Sequence, residues 1–232
     1  RLSVKAISFD LDGVLTYFDQ SVEQFYSTVF QELGLRFSAE KVSAAYSNVH
    51  KWWRKRFVSG KPRTREGYLE YNHRFLKGLG VEGNLEELSE RMQSGIESML
   101  EDLDDRLYPE VKGVLETLRR MGIRLAVVSH RPLALSLRTL EKHSIEEYFN
   151  CVVSPEASAS IGGKMSLEMW RFTLDKLEVN PDEVLHIDDN YEWISGAKKS
   201  GIQPVLIDRK RKSTSTSDCT VIHDLTEVLG LI

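Results

Sequence analysis

The chain has 232 residues, of which 41% are hydrophobic and 28% are charged, and its formal net charge is −4. This composition is typical of a globular protein, and the small negative charge gives no electrostatic reason to expect nucleic acid as a partner. No apolar stretch approaches the length of a transmembrane helix, so we expect no membrane partner either. The length suits one domain with an ample core, or one domain with a smaller insertion.

The cysteine content and the N-terminus indicate a cytoplasmic setting. Cys151 and Cys219 are too few and too far apart for a disulfide framework. The N-terminus lacks a signal-peptide pattern, and since Arg1 is not a natural first residue, we expect a few residues to precede it. The sequence leaves the oligomeric state open between monomer and homodimer.

The first predicted element is a short apolar strand that ends in two acids. Residues 4–9 have the pattern of a buried strand, and Asp10 and Asp12 follow before Gly13. Side chains two residues apart on a strand point to the same face, so both carboxylates can lie together. Buried carboxylates require a counter-charge, and oxygen ligands favour a hard cation such as Mg2+.

Four amphipathic helices, and no convincing strand, are predicted for residues 17–105. Ser21, Ser38, Thr64 and Asn84 are the expected first residues of these helices, because each precedes a run of apolar residues at helical spacing.

After residue 108 the pattern alternates between strands and helices. Strands are predicted at 124–130, 151–154, 184–189, 204–207 and 220–222, and helices at 111–121, 133–143, 166–177, 192–200 and 225–231. Single helices between strands predict an α/β domain with a doubly wound parallel sheet of the Rossmann-like type. The predicted organisation is therefore an α/β domain of residues 1–16 and 106–232, interrupted by an all-helical domain of residues 17–105.

Polar side chains stand where several of these strands end. Ligands of open parallel sheets bind at the carboxyl ends of the strands. The residues expected there are Asp10, Asp12, Ser129, Asp188 and Asp189. The helical insertion leaves the sheet at the same edge, so we expect it to lie over the site as a lid.

Four segments match, in order, the motifs of one enzyme family. They are 5–17 with Asp10 and Asp12, 127–129 with Ser129, 162–164 with Lys164, and the pair Asp188-Asp189. Over residues 4 to 230 the chain resembles the haloacid dehalogenase-like (HAD) hydrolase superfamily, and its helical insertion resembles the C1-type cap of that family.

The resemblance implies a role for each motif. Asp10 would be the nucleophile that attacks phosphorus and becomes an aspartyl phosphate, and Asp12 would be the general acid and base. Ser129 would hold a phosphoryl oxygen and Lys164 would offset negative charge. His130 and Arg131 follow Ser129 and are further candidates for substrate contact.

The resemblance also implies Mg2+ as the cofactor. Its ligands would be Asp10, the backbone carbonyl of Asp12, and Asp189, with Asp188 in the outer shell. The chain departs from the family in two places. Met165 follows Lys164 where Pro is usual, and Trp193 and Ile194 stand where members often carry Asp or Asn.

The resulting hypothesis is a Mg2+-dependent phosphatase that acts on a small phosphorylated metabolite. A phosphomutase or phosphotransferase of the same superfamily is an alternative, since Gly13-Val14 also suits sugar-phosphate mutases. A dehalogenase is disfavoured by Asp12, which the dehalogenating branch lacks. A non-catalytic binding protein on this fold stays open because of the two departures.

Two other features have simpler interpretations. His186 lies inside an apolar strand and is interpreted as a core histidine. The basic run from Arg209 to Lys212 is interpreted as a solvated turn rather than a nucleic-acid site.

Overall fold

A computed structural model of the chain describes residues 4–58, 64–101, 104–158, 163–211 and 218–232. Gly162 of the third motif and Lys212 of the basic run lie outside these ranges. The chain divides into two compact units, one of Arg1–Tyr17 with Asp105–Ile232 and the other of Phe18–Asp104.

The first unit is built on a parallel sheet of six strands. The strands among the described residues are β1 (Ala6–Phe9), β2 (Thr16–Phe18), β3 (Asp105–Leu107), β4 (Arg124–Val128), β5 (Cys151–Val153), β6 (Val184–Asp188), β7 (Gln203–Ile207) and β8 (Thr220–Ile222). The order across the large sheet is β5-β4-β1-β6-β7-β8, and every neighbouring pair is parallel. The predicted α/β class with a doubly wound sheet is confirmed. The pair β2-β3 forms a second, small sheet that the sequence pattern did not indicate.

Eight α-helices are present among the described residues. They are α1 (Val22–Glu32), α2 (Ala39–Val58), α3 (Arg65–Gly78), α4 (Leu85–Glu101), α5 (Val111–Arg120), α6 (Leu133–Lys142), α7 (Leu167–Leu177) and α8 (Tyr191–Lys199). The first four are the helices predicted for the insertion. The helix predicted at 225–231 is instead a 3-10 helix, Leu225–Gly230.

The central strands are buried on both faces, as expected of a parallel sheet covered by helices. All four residues of β1 are fully buried. On one face Ile7 and Phe9 join the apolar side chains of α5, and on the other face Ala6 packs in a cluster that includes Trp170 and Ala197. Each large apolar side chain buried in this way contributes about 1.5–3 kcal/mol to stability.

The second unit has its own aromatic core. Phe75 of α3 lies 4.8 Å from Tyr26 and 5.5 Å from Phe30 between ring centroids, both on α1. A buried amide pair, Asn72 with Gln93 at 2.9 Å, joins α3 to α4. Apolar packing therefore accounts for the compactness of this unit, and its helices bury one face each. None of the described helices is both long and apolar enough to cross a membrane.

Helix α8 approaches the 3-10 turn Gly163–Met165 so closely that only glycine fits at position 196. A Cβ atom added there would lie 1.9 Å from the carbonyl oxygen of Lys164 and 3.3 Å from Cα of Met165. Both of these atoms belong to the backbone, so neither can move without displacing the turn.

We therefore predict that Gly196→Ala lowers the free energy of unfolding by about 3 kcal/mol through overpacking. The matched control is Gly113→Ala in α5, where no atom outside the helix lies within 4 Å of the added Cβ. That substitution should raise stability by about 0.5–1 kcal/mol, because alanine is the better helix former. Urea titration of both variants measures the difference. Equal stability of the two variants would contradict the close approach.

Candidate active site

The ends of three adjacent strands bring the first, second and fourth motifs together. Phe9, the last residue of β1, is paired with Val127 of β4 and with Ile187 of β6. The residues that follow, among them Asp10, Ser129 and Asp188, therefore meet at one edge of the sheet. The sequence prediction that these residues share an edge agrees with this register.

A fully buried lysine lies between two of the carboxylates. Nζ of Lys164 is 2.9 Å from Oδ2 of Asp10 and 2.6 Å from Oδ2 of Asp188. The side chains of Lys164 and Asp188 have no exposed surface, and that of Asp10 is 13% exposed. Burial opposes the charge of the lysine, but the two carboxylates outweigh it and raise the pKa of Lys164. The third motif is thus joined to the first and fourth by a buried ionic contact.

The backbone of Lys164 is fixed by groups outside the four motifs. Its carbonyl accepts a hydrogen bond from Nε1 of Trp170 at 2.8 Å, and its N–H donates to Nε2 of His130 at 3.0 Å. Gly196 adds the close approach of α8 described above. The position of Lys164 therefore does not depend on a proline after it, so Met165 is no obstacle to the arrangement.

In the described part of the chain, Asp10, Asp188 and Asp189 offer carboxylate oxygens that all lie within 4.8 Å of one another. Asp189 is seated against Gly13, where an added Cβ would lie 2.3 Å from its Oδ2 and where φ is +80°. Gly13 is required for both reasons, because other residues rarely adopt that conformation and have no room for a side chain.

The electrostatics of this group fit a divalent cation. Desolvation raises the pKa of Asp10 to about 7 against the opposing charge of Lys164. Desolvation and the charge of Asp188 raise the pKa of Asp189 to about 6. Three carboxylates face one lysine, which leaves an excess of two negative charges when all are ionised. Clustered oxygen donors with this excess suit a hard ion such as Mg2+.

Asp12 stands beside this group in a tight turn. Oγ1 of Thr16 donates to Oδ1 of Asp12 at 3.4 Å, and the N–H of Gly13 donates to the carbonyl of Thr16 at 2.7 Å. Arg131 also contacts Oδ1 of Asp12 through Nη2. Desolvation raises the pKa of Asp12, and the neighbouring Arg131 opposes the rise. A raised pKa is the direction that suits a proton donor.

The segment that follows β4 makes several protein contacts. Ser129 is 2% exposed, and its Oγ accepts a hydrogen bond from the N–H of Arg131 at 3.2 Å. The His130 ring holds the backbone of Lys164 and meets the ring of Trp193 edge-on at 4.6 Å between centroids. The structure therefore brings these three residues to the site, and their predicted contacts with substrate stay predictions.

Arg209, outside the motifs, has a role that the sequence pattern does not indicate. Arg209 was interpreted as part of a solvated turn, and for this residue the interpretation is wrong, because its side chain is only 15% exposed. Its Nη2 donates to the carbonyl of Val14 at 2.7 Å and its Nη1 pairs with Glu110 at 2.6 Å. The guanidinium lies 3.5 Å from the ring centroid of Tyr108. Arg209 thus supports the loop that carries Asp12.

His186 is buried as expected of a core histidine. Its Nδ1 is hydrogen bonded to Oγ of Ser8 at 2.9 Å, and its ring meets Trp170 edge-on. Burial lowers the pKa of His186, which favours the neutral ring. In the sequence, the one indication that His186 lies near the site is its position two residues before Asp188.

The sequence of the chain is similar to those of known hydrolases and phosphatases. A family model described as haloacid dehalogenase-like hydrolase matches residues 4–201. A phosphorylated carbohydrates phosphatase of Thermotoga maritima is 24% identical over 87% of this chain and 84% of its own length. A phosphatase of Mycobacterium tuberculosis is 25% identical over 100% of this chain and 97% of its own length.

Solved structures share the fold. A HAD hydrolase, YfnB of Bacillus subtilis, described in a magnesium-bound form, superposes with a TM-score of 0.77 at 16% identity over 98% of both chains. The family model confirms the resemblance drawn from the four motifs. The names of the relatives agree with the predicted enzyme class, a phosphatase.

The buried lysine provides a test of the site's electrostatics. We predict that Lys164→Met lowers the free energy of unfolding by about 3–5 kcal/mol, because Asp10 and Asp188 lose their buried counter-charge. Urea titration in chelator at neutral pH measures the loss. The control is Lys112→Met at an exposed position of α5, which should leave stability within about 0.5 kcal/mol of the parent. A Lys164→Met variant as stable as this control would contradict the ionic contact.

Proposed function

The chain belongs to the haloacid dehalogenase-like hydrolase family, and from this membership we propose that it hydrolyses a small phosphomonoester with Mg2+, through a phosphoryl group carried on Asp10. The observation that supports this most directly is the grouping of Asp10, Asp188 and Asp189 around the buried Lys164. Lys164 offsets negative charge beside Asp10, and the further acids would hold a cation that offsets the charge of a phosphoryl group received there.

The cation has a definite set of candidate ligands. In this proposal Asp10, Asp189 and the backbone carbonyl of Asp12 hold it directly, and Asp188 orients the shell around it. When bound, Mg2+ supplies positive charge that offsets the negative charge of the transferring phosphoryl group. Asp188 is suited to an indirect role because its Oδ2 pairs with Lys164 and its Oδ1 accepts the N–H of Asn190 at 2.9 Å.

The first step transfers the phosphoryl group to the protein. A carboxylate oxygen of Asp10 attacks phosphorus, and the bond between phosphorus and the ester oxygen breaks. Asp12 gives its proton to that oxygen, so the product leaves as an alcohol. The hydroxyl of Ser129 holds a phosphoryl oxygen, and Lys164 offsets negative charge from its fixed position between Asp10 and Asp188, so it needs no rearrangement.

The second step restores the protein. Asp12, now a carboxylate, takes a proton from water as the water oxygen attacks phosphorus. The bond between phosphorus and Asp10 breaks, inorganic phosphate leaves, and Asp12 is again protonated for the next cycle. One residue thus serves as acid and then as base.

We further propose that the helical unit acts as a cap that selects the substrate, with the α/β domain at residues 1–16 and 106–232 and the cap at 17–105. The Thermotoga maritima relative is described as acting on phosphorylated carbohydrates. Phosphorylated sugars are therefore the first small metabolites to test. A cytoplasmic location accords with substrates of this kind.

The test is release of free phosphate from a panel of phosphomonoesters, sugar phosphates among them, with Mg2+ and with chelator. We expect release that requires Mg2+ and that falls by at least about 10³-fold in Asp10→Asn, since the nucleophile is lost. The control is Asp175→Asn, an exposed acid near the end of α7, which should keep the parent rate. Undiminished release by Asp10→Asn would contradict the proposal.

The same panel separates the rival functions. A phosphomutase or phosphotransferase protects its phosphoryl group from water, so it would release phosphate slowly and would transfer it rapidly once an acceptor sugar phosphate is added. A binding protein on this fold would do neither, although it would still bind substrate.

A further inference from the structure

Arg131 makes contacts with two carboxylates of the α/β unit. Its Nη2 contacts Oδ1 of Asp12, and its Nη1 lies 2.9 Å from Oδ2 of Asp105. The side chain is 11% exposed. Each end of the guanidinium fork therefore meets an acid. Between them the two acids raise the pKa of Arg131, although its burial acts in the opposite direction.

Asp105 is itself held from several sides. Its carboxylate, 1% exposed, accepts a hydrogen bond from Oγ1 of Thr139 at 2.6 Å. Nζ of Lys142 lies 3.3 Å away and Nε2 of His143 3.2 Å away. All three partners come from α6 or its C-terminal end, so Asp105 is anchored to a helix. The contact with Asp105 therefore fixes the Nη1 end of the Arg131 guanidinium.

The backbone of Arg131 is fixed as well. Its backbone N–H donates to Oγ of Ser129 at 3.2 Å, which ties it to the end of β4. The contacts of Asp12 with Arg131 and with Thr16 both go to Oδ1. That leaves Oδ2 as the oxygen suited to carry the proton. Because Arg131 holds Oδ1 of Asp12, the direction in which Oδ2 points would also be fixed.

This arrangement argues against a phosphate-binding role for Arg131. To bind a phosphoryl group, the guanidinium would have to give up a carboxylate in a partly buried setting, and the abandoned acid would be left without its counter-charge. Holding Asp12 in place requires no such loss, because the contacts of Arg131 with Asp12 and Asp105 are already formed. The planar fork of arginine is also suited to joining two carboxylates, whereas a lysine amine acts as a single point.

We propose that Arg131, anchored by Asp105, is a positioning residue that fixes the Asp12 carboxylate for proton transfer to the leaving group. This inference rests on the proposed function, in which Asp12 is the general acid. Arg131 then acts on the reaction only through Asp12, and it affects a step only when that step needs a proton from Asp12.

The leaving group provides a readout that a structural or phosphate-binding role would not reproduce. An alkyl phosphate must have its alkoxide protonated as the bond breaks, whereas an aryl phosphate such as p-nitrophenyl phosphate releases a stable phenolate. The constant kcat/KM reports the steps up to leaving-group departure. We expect Arg131→Met to lower kcat/KM about 10- to 100-fold on the alkyl ester and less than about threefold on the aryl ester.

A double-mutant cycle tests whether Arg131 acts through Asp12. In an Asp12→Asn background the general acid is absent, so adding Arg131→Met should cause no further loss on the alkyl ester. The control is Arg138→Met, an exposed arginine on α6, which should keep parent values on both esters. Asp105→Asn should show the pattern of Arg131→Met in weaker form, because it loosens the anchor.

The outcomes are distinct. Equal losses on both esters, or losses that add in the double mutant, would overturn the inference and favour phosphate binding. A parent protein with no activity on either ester would instead overturn the proposed function. If Arg131→Met fails to fold by circular dichroism, Arg131→Lys takes its place. It keeps a charge beside Asp105 but cannot join both acids, so we expect the same selective loss on the alkyl ester.

Discussion

The ion pairs of Lys164 with Asp10 and Asp188 are the interaction on which the site depends. Without the buried Lys164, these two carboxylates at the end of a parallel sheet would repel each other and resist burial. Their fixed spacing also determines where a third acid, Asp189, can add a ligand for a cation. The same lysine that stabilises the protein before the reaction would offset charge on the phosphoryl group during it, so stability and chemistry share one contact.

Close backbone contacts keep these charges in place. Gly13 leaves room for Asp189, and Gly196 lets α8 pack against the carbonyl of Lys164. Arg209 joins the loop after β1 to the loop after β7 through hydrogen bonds to backbone carbonyls. The site is thus built from strand ends that are tied to each other by contacts with little freedom to shift. Such rigidity is what a reaction driven by charge placement requires, because the stabilising groups are in position before the substrate arrives.

Much of the site could be predicted from sequence, because the rules that govern it are local or topological. An apolar strand followed by acids is visible within ten residues, and parallel strands must end at the same edge, which brings Asp10 and Asp188 together. The contacts of Arg131 could not be predicted, since Asp105 follows the whole helical insertion in the chain. The burial of Arg209 could not be predicted for a related reason. A run of basic residues looks solvated until its distant partners, Glu110 and the carbonyl of Val14, are known.

Chemical trapping would show whether Asp10 carries the phosphoryl group. The Asp12→Asn variant would be mixed with an aryl phosphate and Mg2+, because the first step then needs no acid while the second lacks its base. Acid quench, borohydride reduction and peptide mass spectrometry would follow, since borohydride converts an aspartyl phosphate to homoserine. If Asp10 is the nucleophile, homoserine will be found at position 10. Homoserine in place of another aspartate, or an unmodified Asp10 while the phenolate is released, would contradict this role of Asp10.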